Sequence, residues 1–190
     1  MSRIRISNQL TGWASERIIP RELVIRFRRK TDRMYYTYLD TPIGELLLAG
    51  DQHALHEIGF PDGPKRRRAR PDWELRDTVF TEVKSQLSQY FAGALRSFSL
   101  ALRPRGTPFQ LRVLDELKKI PYGTTVSYRE VAVRLGQPQA TRAVGAANGR
   151  NPIPVIIPCH RVIGSNGKLT GFGGGLPTKE MLLKLERGPG

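Results

Sequence analysis

Cysteine is almost absent from this chain: Cys159 is the only one in 190 residues. A single thiol cannot close an intramolecular disulfide, which fits a reducing compartment. It also excludes a zinc site built on several cysteines. No apolar run approaches the length needed to span a bilayer. The N-terminal stretch Met1-Ser-Arg-Ile-Arg-Ile-Ser-Asn8 lacks the apolar segment of a secretory signal. It is Arg-rich, as transit peptides are, but Glu16 and Glu22 argue against that reading. The expectation is a soluble, cytoplasmic protein. Acidic residues are scarce as well, 17 against 31 Lys and Arg, which leaves a net charge of +14. Such an excess draws a protein to polyanions, of which nucleic acid is the commonest. A solubilising surface explains the charge equally well, so other features must decide.

The first third of the chain reads as an extension followed by strands. Residues 1–33 are basic and poorly patterned, with Arg26-Phe-Arg-Arg-Lys30 near their end. Met34–Asp40 and Gly44–Gly50 flank a Thr41-Pro-Ile-Gly44 turn, a hairpin signal, and Ala54–Phe60 continues as a third strand. Pro64-Lys-Arg-Arg-Arg-Ala-Arg70 is a densely basic loop that could brush phosphates, although a solvated loop is the simpler reading. From Trp73 to Phe91, Leu75, Val79, Phe80, Val83, Leu87, Tyr90 and Phe91 recur at helical spacing. Strands followed by a helix predict a small α+β domain over 34–100, with 101–106 as a linker.

Residues 107–190 read as mostly helical. Phe109, Val113, Leu114, Leu117 and Ile120 form one helical face, stopped by Pro121-Tyr-Gly123. Ser127-Tyr-Arg-Glu130 is a capping box, with Ser127 as cap and Glu130 reaching back. Gln137-Pro138 connects that helix to a second, Gln139–Arg150. Two short helices joined by a tight turn suggest a helix-turn-helix, although helical hairpins are common. The second helix is nearly bare of side-chain bulk at Ala140, Ala143, Gly145, Ala146 and Ala147. Such a surface permits close approach of another backbone or of a nucleic-acid groove. Helix packing explains some of these residues but not Arg142 among them.

The apolar run Val155-Ile-Ile157 reads as a buried strand that delivers Cys159 at its end. A lone cysteine is more often a small buried hydrophobe than a nucleophile, and it reacts only where something makes it thiolate. His160 is adjacent in sequence. Neighbouring side chains on an extended chain face opposite ways, so a bridging water is one route between them. A carboxylate is needed to orient the imidazole, and Glu186 and Glu180 on the last helix are the candidates.

Pro158-Cys-His-Arg-Val-Ile163 resembles the active-site signature of the O6-alkylguanine-DNA alkyltransferases, the methylated-DNA–protein-cysteine methyltransferases. Pro121-Tyr-Gly123, Ser127-Tyr128, Arg142-Ala-Val-Gly145, Asn151-Pro152, Gly174-Gly-Leu176, Lys179 and Glu186 fall in the family's order and spacing. The resemblance is sharp over 107–186, holds in pattern from about Met34, and leaves 1–33 outside. It implies a ribonuclease H-like N-terminal domain, an antiparallel sheet plus helix, followed by a winged helix-turn-helix domain, α+β overall.

By that resemblance, the partner is double-stranded DNA carrying O6-alkylguanine, read through the minor groove with the damaged base flipped out. O4-alkylthymine is a poorer substrate. No cofactor, metal or membrane is implied; the protein is a monomer, with cooperative binding on DNA left open. Arg142 resembles the finger that fills the vacated stack. Tyr128 resembles the tyrosine that crowds the adjacent phosphate and donates its proton toward the guanine. Arg129 and Ser165 stand where relatives touch the DNA backbone, and Ala140 and Gly145 suit close approach to it. A Glu186–His160–water–Cys159 relay takes the thiol proton, and the thiolate attacks the alkyl carbon. Asn151 braces the turn before the active-site segment. The carbonyls of Cys159 and Val162 read the guanine amino group, and Pro154 shapes the pocket wall. The product is a thioether, so one molecule repairs one lesion.

Two positions depart from the family pattern. A common tyrosine is Phe172 here and a frequent serine is Gly173, which leaves the preference among alkyl groups open. Three other classes compete: a binding-only relative that flags the lesion, a winged-helix transcription factor, and a cysteine hydrolase. Cys159 argues against the first, since those relatives replace the cysteine. The second needs no Cys–His pair, and the third leaves the DNA-reading features unexplained. Stoichiometry separates them all: a hydrolase turns over, a binder transfers nothing, and an alkyltransferase stops at one equivalent.

Overall fold

A computed structural model describes residues 33–188. The basic extension read over residues 1–33 therefore lies, Arg33 apart, outside the described residues. Strand β1 (Tyr35–Leu39) pairs antiparallel with β2 (Leu46–Gly50), and β2 with β3 (Leu55–Gly59). The expected turn joins the first two: the Gly44 amide donates to the Thr41 carbonyl at 2.9 Å. All five residues of β2 are buried, as a continuous apolar run in a central strand should be. The next helix, α1 (Thr81–Phe91), turns Val83, Leu87 and Tyr90 inward.

The helix expected from Trp73 begins later than its periodicity suggests. Glu74–Leu75 form a two-residue strand, β4, that pairs parallel with β1 and so makes the sheet mixed. Backbone pairing wins there, because the amides of Glu74 and Arg76 donate to the carbonyls of Met34 and Tyr36. Leu75, placed on the buried face by the helical reading, points outward and is 63% exposed. A short 3-10 turn, Asp77–Phe80, then leads into α1.

The second half opens with α2 (Pro108–Lys118), whose start carries a Thr107/Gln110 capping box and a proline at its first position. Strand β5 (Val126–Ser127) runs into α3 (Tyr128–Arg134). The capping box read from the sequence is present: the Ser127 amide donates to Glu130 Oε2 at 2.6 Å and the Glu130 amide to Ser127 Oγ at 3.1 Å. A 3-10 turn (Pro138–Ala140) connects α3 to α4 (Thr141–Gly149), completing the helix-turn-helix. Strand β6 (Val162–Ile163) pairs parallel with β5, and α5 (Leu176–Arg187) closes the described chain.

The buried strand expected at Val155–Ile157 is not a strand. Residues 151–158 form successive turns, with the Ile157 amide donating to the Ile153 carbonyl at 2.9 Å. Prolines 152, 154 and 158 remove three amide donors from any ladder. Val155 adopts a φ of 72°, a left-handed conformation that a β-branched residue rarely takes. The run is apolar because it is buried, not because it pairs. The turn is tied to the first half: the Ile58 amide of β3 donates to the Pro152 carbonyl at 2.8 Å. Side chains from both halves merge in one core. No helix among the described residues is long and apolar enough to cross a membrane.

Candidate active site

Cys159 is the first residue of a 3-10 turn, Cys159–Arg161, and is 4% exposed. Its carbonyl accepts from Asn148 Nδ2 at 3.3 Å. Asn151 braces the preceding turn with both ends of its amide: Nδ2 donates to the Ile157 carbonyl at 2.8 Å and Oδ1 accepts from the Ile153 amide at 3.0 Å. Burial pushes the Cys159 thiol upward, against a hydrogen bond from Asn151 and the positive charges of Lys179 and Lys65. The free thiol is therefore protonated at neutral pH, and its reactivity depends on a base.

His160 is fully buried and fixed by Glu186, with Nε2 and Oε1 2.7 Å apart. Burial holds the ring below its ordinary value despite the carboxylate beside it, so the imidazole is neutral. With its Nε2 proton committed to Glu186, Nδ1 carries the lone pair. That atom is buried without a hydrogen-bond partner, which makes it a free acceptor one residue from the thiol.

Glu186 is the hub of a larger network than the sequence suggested. Arg161 clamps it twice, Nε to Oε2 at 2.8 Å and Nη2 to Oε1 at 2.9 Å, and its Nη1 donates to the Ile120 carbonyl at 2.6 Å. Tyr90 of α1 donates its hydroxyl to Oε1 at 2.8 Å, and the Gly123 amide donates to Oε2 at 3.1 Å. Gly123 is required as glycine: its φ is 74°, and a Cβ would lie 3.0 Å from the Glu186 carbonyl oxygen. Burial alone would raise the Glu186 carboxyl, but the donors from His160 and Arg161 outweigh it and bring it down to about 2. Glu180, the other candidate, is exposed.

These shifts predict acid sensitivity. His160 stays neutral in the fold, so unfolding is favoured as pH falls below 6.5, where the released ring takes a proton. Glu186 contributes stability that is complete above its ordinary 4.5 and lost as pH falls toward 2. The thermal midpoint should fall in two stages between pH 7 and pH 2.5. A midpoint that is flat across that range would contradict the neutral histidine and the anionic glutamate.

Lys179 is a second buried group whose part the sequence left unassigned. It is fully buried, and its Nζ donates to the carbonyls of Val162 at 2.6 Å and Thr170 at 3.1 Å. Burial lowers its pKa, and Cys159 opposes that shift. Tyr90 and Arg161 were visible in sequence only as a helical core position and a motif member, with nothing to show that they meet Glu186.

A cavity of about 20 Å³ opens at Cys159, among Asn148, Asn151, Pro154, Phe172 and Gly173. Phe60 of the first half packs edge-on against Phe172, with ring centres 5.3 Å apart. Val162 lies outside this lining, fully buried. A groove adjoins the cavity, lined by Tyr128, Gly145, Thr170 and again Phe172 and Gly173. The Tyr128 hydroxyl accepts from Thr170 Oγ1 at 3.0 Å. Burial and the neighbouring Cys159 raise the Tyr128 phenol, while Thr170 lowers it. Ala140 is half-buried before α4, and Arg129, Arg142 and Ser165 are exposed beyond the cavity. No group of three or more His, Cys, Asp or Glu among the described residues could hold a metal.

Two family models match the chain. Residues 34–104 match the 6-O-methylguanine DNA methyltransferase ribonuclease-like domain, and residues 108–188 match the DNA binding domain of the same family. A methylated-DNA–protein-cysteine methyltransferase of Methanosarcina acetivorans is 52% identical, over 80% of this chain and 98% of that one. One from Mycolicibacterium paratuberculosis is 49% identical, over 80% and 92%. The crystal structure of Mycobacterium tuberculosis O6-methylguanine methyltransferase superimposes with a TM-score of 0.76 at 47% identity, covering 81% of this chain and 93% of that one. Mycobacterium tuberculosis OGT in complex with DNA gives 0.76 at 48% identity, covering 80% and 92%. The chain belongs to the 6-O-methylguanine DNA methyltransferase family, enzymes that transfer a methyl group from damaged DNA to a protein cysteine.

Proposed function

We propose that this protein repairs O6-alkylguanine in double-stranded DNA by moving the alkyl group irreversibly onto Cys159, once per molecule. The observation that carries the reading is the neutral His160, held by Glu186 and with its Nδ1 lone pair free, beside the only cysteine. The thiol proton passes to Nδ1, directly or through a water. The sulfur forms a bond to the alkyl carbon as the bond from that carbon to guanine O6 breaks. The electron pair goes to the base, which takes a proton from the Tyr128 hydroxyl. The proton held by His160 then restores the tyrosine. Lys179 opposes the cost of the transient thiolate, and oriented donors of this kind act without reorganisation. The thioether has no leaving group, so the protein is spent. Asn151 holds the turn that aims the sulfur.

Access requires the base to leave the stack, since the thiol lies at the bottom of a cavity. The helix-turn-helix lies in the minor groove as a monomer, with Ala140 and Gly145 toward the sugar–phosphate walls. Arg142 fills the space left by the base, while Arg129 and Ser165 meet phosphates. The carbonyls of Cys159 and Val162 and the walls at Pro154, Phe172 and Gly173 receive the guanine; O4-alkylthymine fits the same chemistry less well. The reading is tested by titrating the protein with a duplex carrying one O6-methylguanine. Transfer should stop at one methyl per protein, and continued turnover would overturn it.

Arg142 separates extrusion from chemistry. Arg142→Ala should slow repair of duplex DNA by at least about tenfold, the effect of losing about 1.4 kcal/mol. Reaction with a free O6-substituted guanine should change far less, because no stack is opened. Equal slowing of both, measured by quench-flow, would place Arg142 in the chemical step or in folding.

A further inference from the structure

The basic loop between β3 and β4 is seated on the wall of the cysteine cavity. The Lys65 amide donates to the Gly173 carbonyl at 3.0 Å. Gly63, at a φ of 91°, packs so tightly that a Cβ would come within 2.8 Å of the Gly174 carbonyl carbon. From this anchor the Lys65 stem crosses Gly173, where an added Cβ would lie 3.4–3.8 Å from its Cβ, Cδ and Cγ. Its ammonium reaches α4, 3.5 Å from where a Gly149 Cβ would stand. The side chain thus bridges the two halves of the molecule. It lines both the cysteine cavity and the groove that holds Tyr128 and Gly145.

The charge of Lys65 is poorly accommodated where it lies. Burial pushes its ammonium down, Arg67 and Arg150 repel it, and Cys159 opposes them. Arg67 has its own partner, Glu57, at 3.0 Å. A lysine in this position gains from any anion that draws it outward. The cavity beneath it holds about 20 Å³, room for roughly one water rather than a purine. Lys65 stands on the wall shared by this cavity and the larger groove, and a base extruded from DNA arrives with its own phosphates.

We propose that Lys65 is a substrate-binding and specificity-determining residue: its side chain closes the passage to Cys159 in the free protein and, on DNA, turns outward to pair with a backbone phosphate of the extruded nucleotide. The proposal rests on the alkyl-transfer reading above. It assigns to the first half of the chain a direct role in selecting what reaches the thiol. A free base has no phosphate to draw the lysine aside, so bulky free bases meet a closed passage that damaged DNA opens.

Lys65→Ala and Lys65→Arg are compared with the unaltered protein by single-turnover rates on free O6-benzylguanine and on a duplex carrying O6-methylguanine. The salt dependence of duplex binding is measured alongside. Lys65→Ala should react several-fold faster with O6-benzylguanine and several-fold more slowly with the duplex. Its slope of log affinity against log salt should be shallower by about 0.9, the value for one phosphate contact on B-DNA. Lys65→Arg should restore the duplex rate and the salt slope. Any result in which the two rates do not move in opposite directions overturns the proposal: equal slowing assigns Lys65 to the thiol or the fold, and no change leaves it a solvated loop residue. If the unaltered protein accepts no alkyl group from either substrate, the function reading has failed instead.

Discussion

Cys159→Ser is expected to accept no methyl group from O6-methylguanine DNA while keeping its fold and its affinity for the duplex. Serine replaces a small side chain, its hydroxyl can take the hydrogen bond that Asn151 gives the sulfur, and the other hydrogen bonds at the site run through the backbone. Asn148 donates to the carbonyl of residue 159, and Asn151 to that of Ile157. Neither bond needs the sulfur. The reaction does, because a neutral imidazole can take a proton from a thiol far more readily than from an alcohol. Melting temperature and duplex binding should stay near those of the unaltered protein, while radiolabelled methyl fails to appear on the polypeptide. Transfer by the serine variant at the original rate would place the acceptor elsewhere.

Glu186→Gln should destabilise the protein by about 3–5 kcal/mol, the cost of leaving a buried charge without its partner. Arg161 is 6% exposed, and its guanidinium depends on both carboxylate oxygens. An amide offers one acceptor and turns an NH2 group toward donors from Arg161, Gly123, His160 or Tyr90. At least one must be left unpaired in the interior. The fraction that remains folded should also transfer methyl more slowly, since the imidazole loses both its orientation and the charge that stabilises its protonated form. Glu180→Gln serves as the control; it removes a charge of the same helix at an exposed position and should stay within about 0.5 kcal/mol. Chemical denaturation of the two variants side by side checks both values. An equal effect at 180 and 186 would contradict the hub.

Local signals in this sequence were legible where a local force decides the structure. The Thr41–Gly44 turn and the Ser127/Glu130 box are set by side chains three residues apart, and both formed as read. Gly136 follows the end of α3 at a φ of 70°, a conformation that favours glycine. The misreadings share another cause. Val155-Ile-Ile157 has the composition of a strand, but three prolines and a left-handed valine make it a buried turn. Leu75 matched a helical stripe, yet edge pairing with β1 claimed its backbone. Composition reports burial; it does not report which partner covers a residue.

The site divides along the same line. Of the residues around the cavity, Asn151, Pro154, Cys159, Phe172 and Gly173 come from two nearby stretches of chain that the motif held together, whereas Ile58, Phe60, Lys65 and Arg67 come from the first half. The residues alone left Glu186 and Glu180 as candidates, the resemblance pointed to Glu186, and the packing of α5 brings Glu186 to His160. Tyr90 and Gly123 meet Glu186 from 96 and 63 residues away. No spacing rule reaches that far, and Tyr90 shows only the periodicity of a core residue. Lys65 looked like part of a solvated basic loop, because its contact with Gly173 exists only once the two halves are packed.

The central claim is that one alkyl group passes from DNA to Cys159 and stays there. Intact mass and peptide mapping after incubation with excess duplex carrying O6-methylguanine measure this directly. The protein mass should rise by one CH2 unit and no further, with the gain confined to the peptide that contains Cys159, while an equal amount of DNA becomes unmodified guanine. An unchanged protein mass with continued loss of the lesion, or a methyl group on any other residue, would contradict the account.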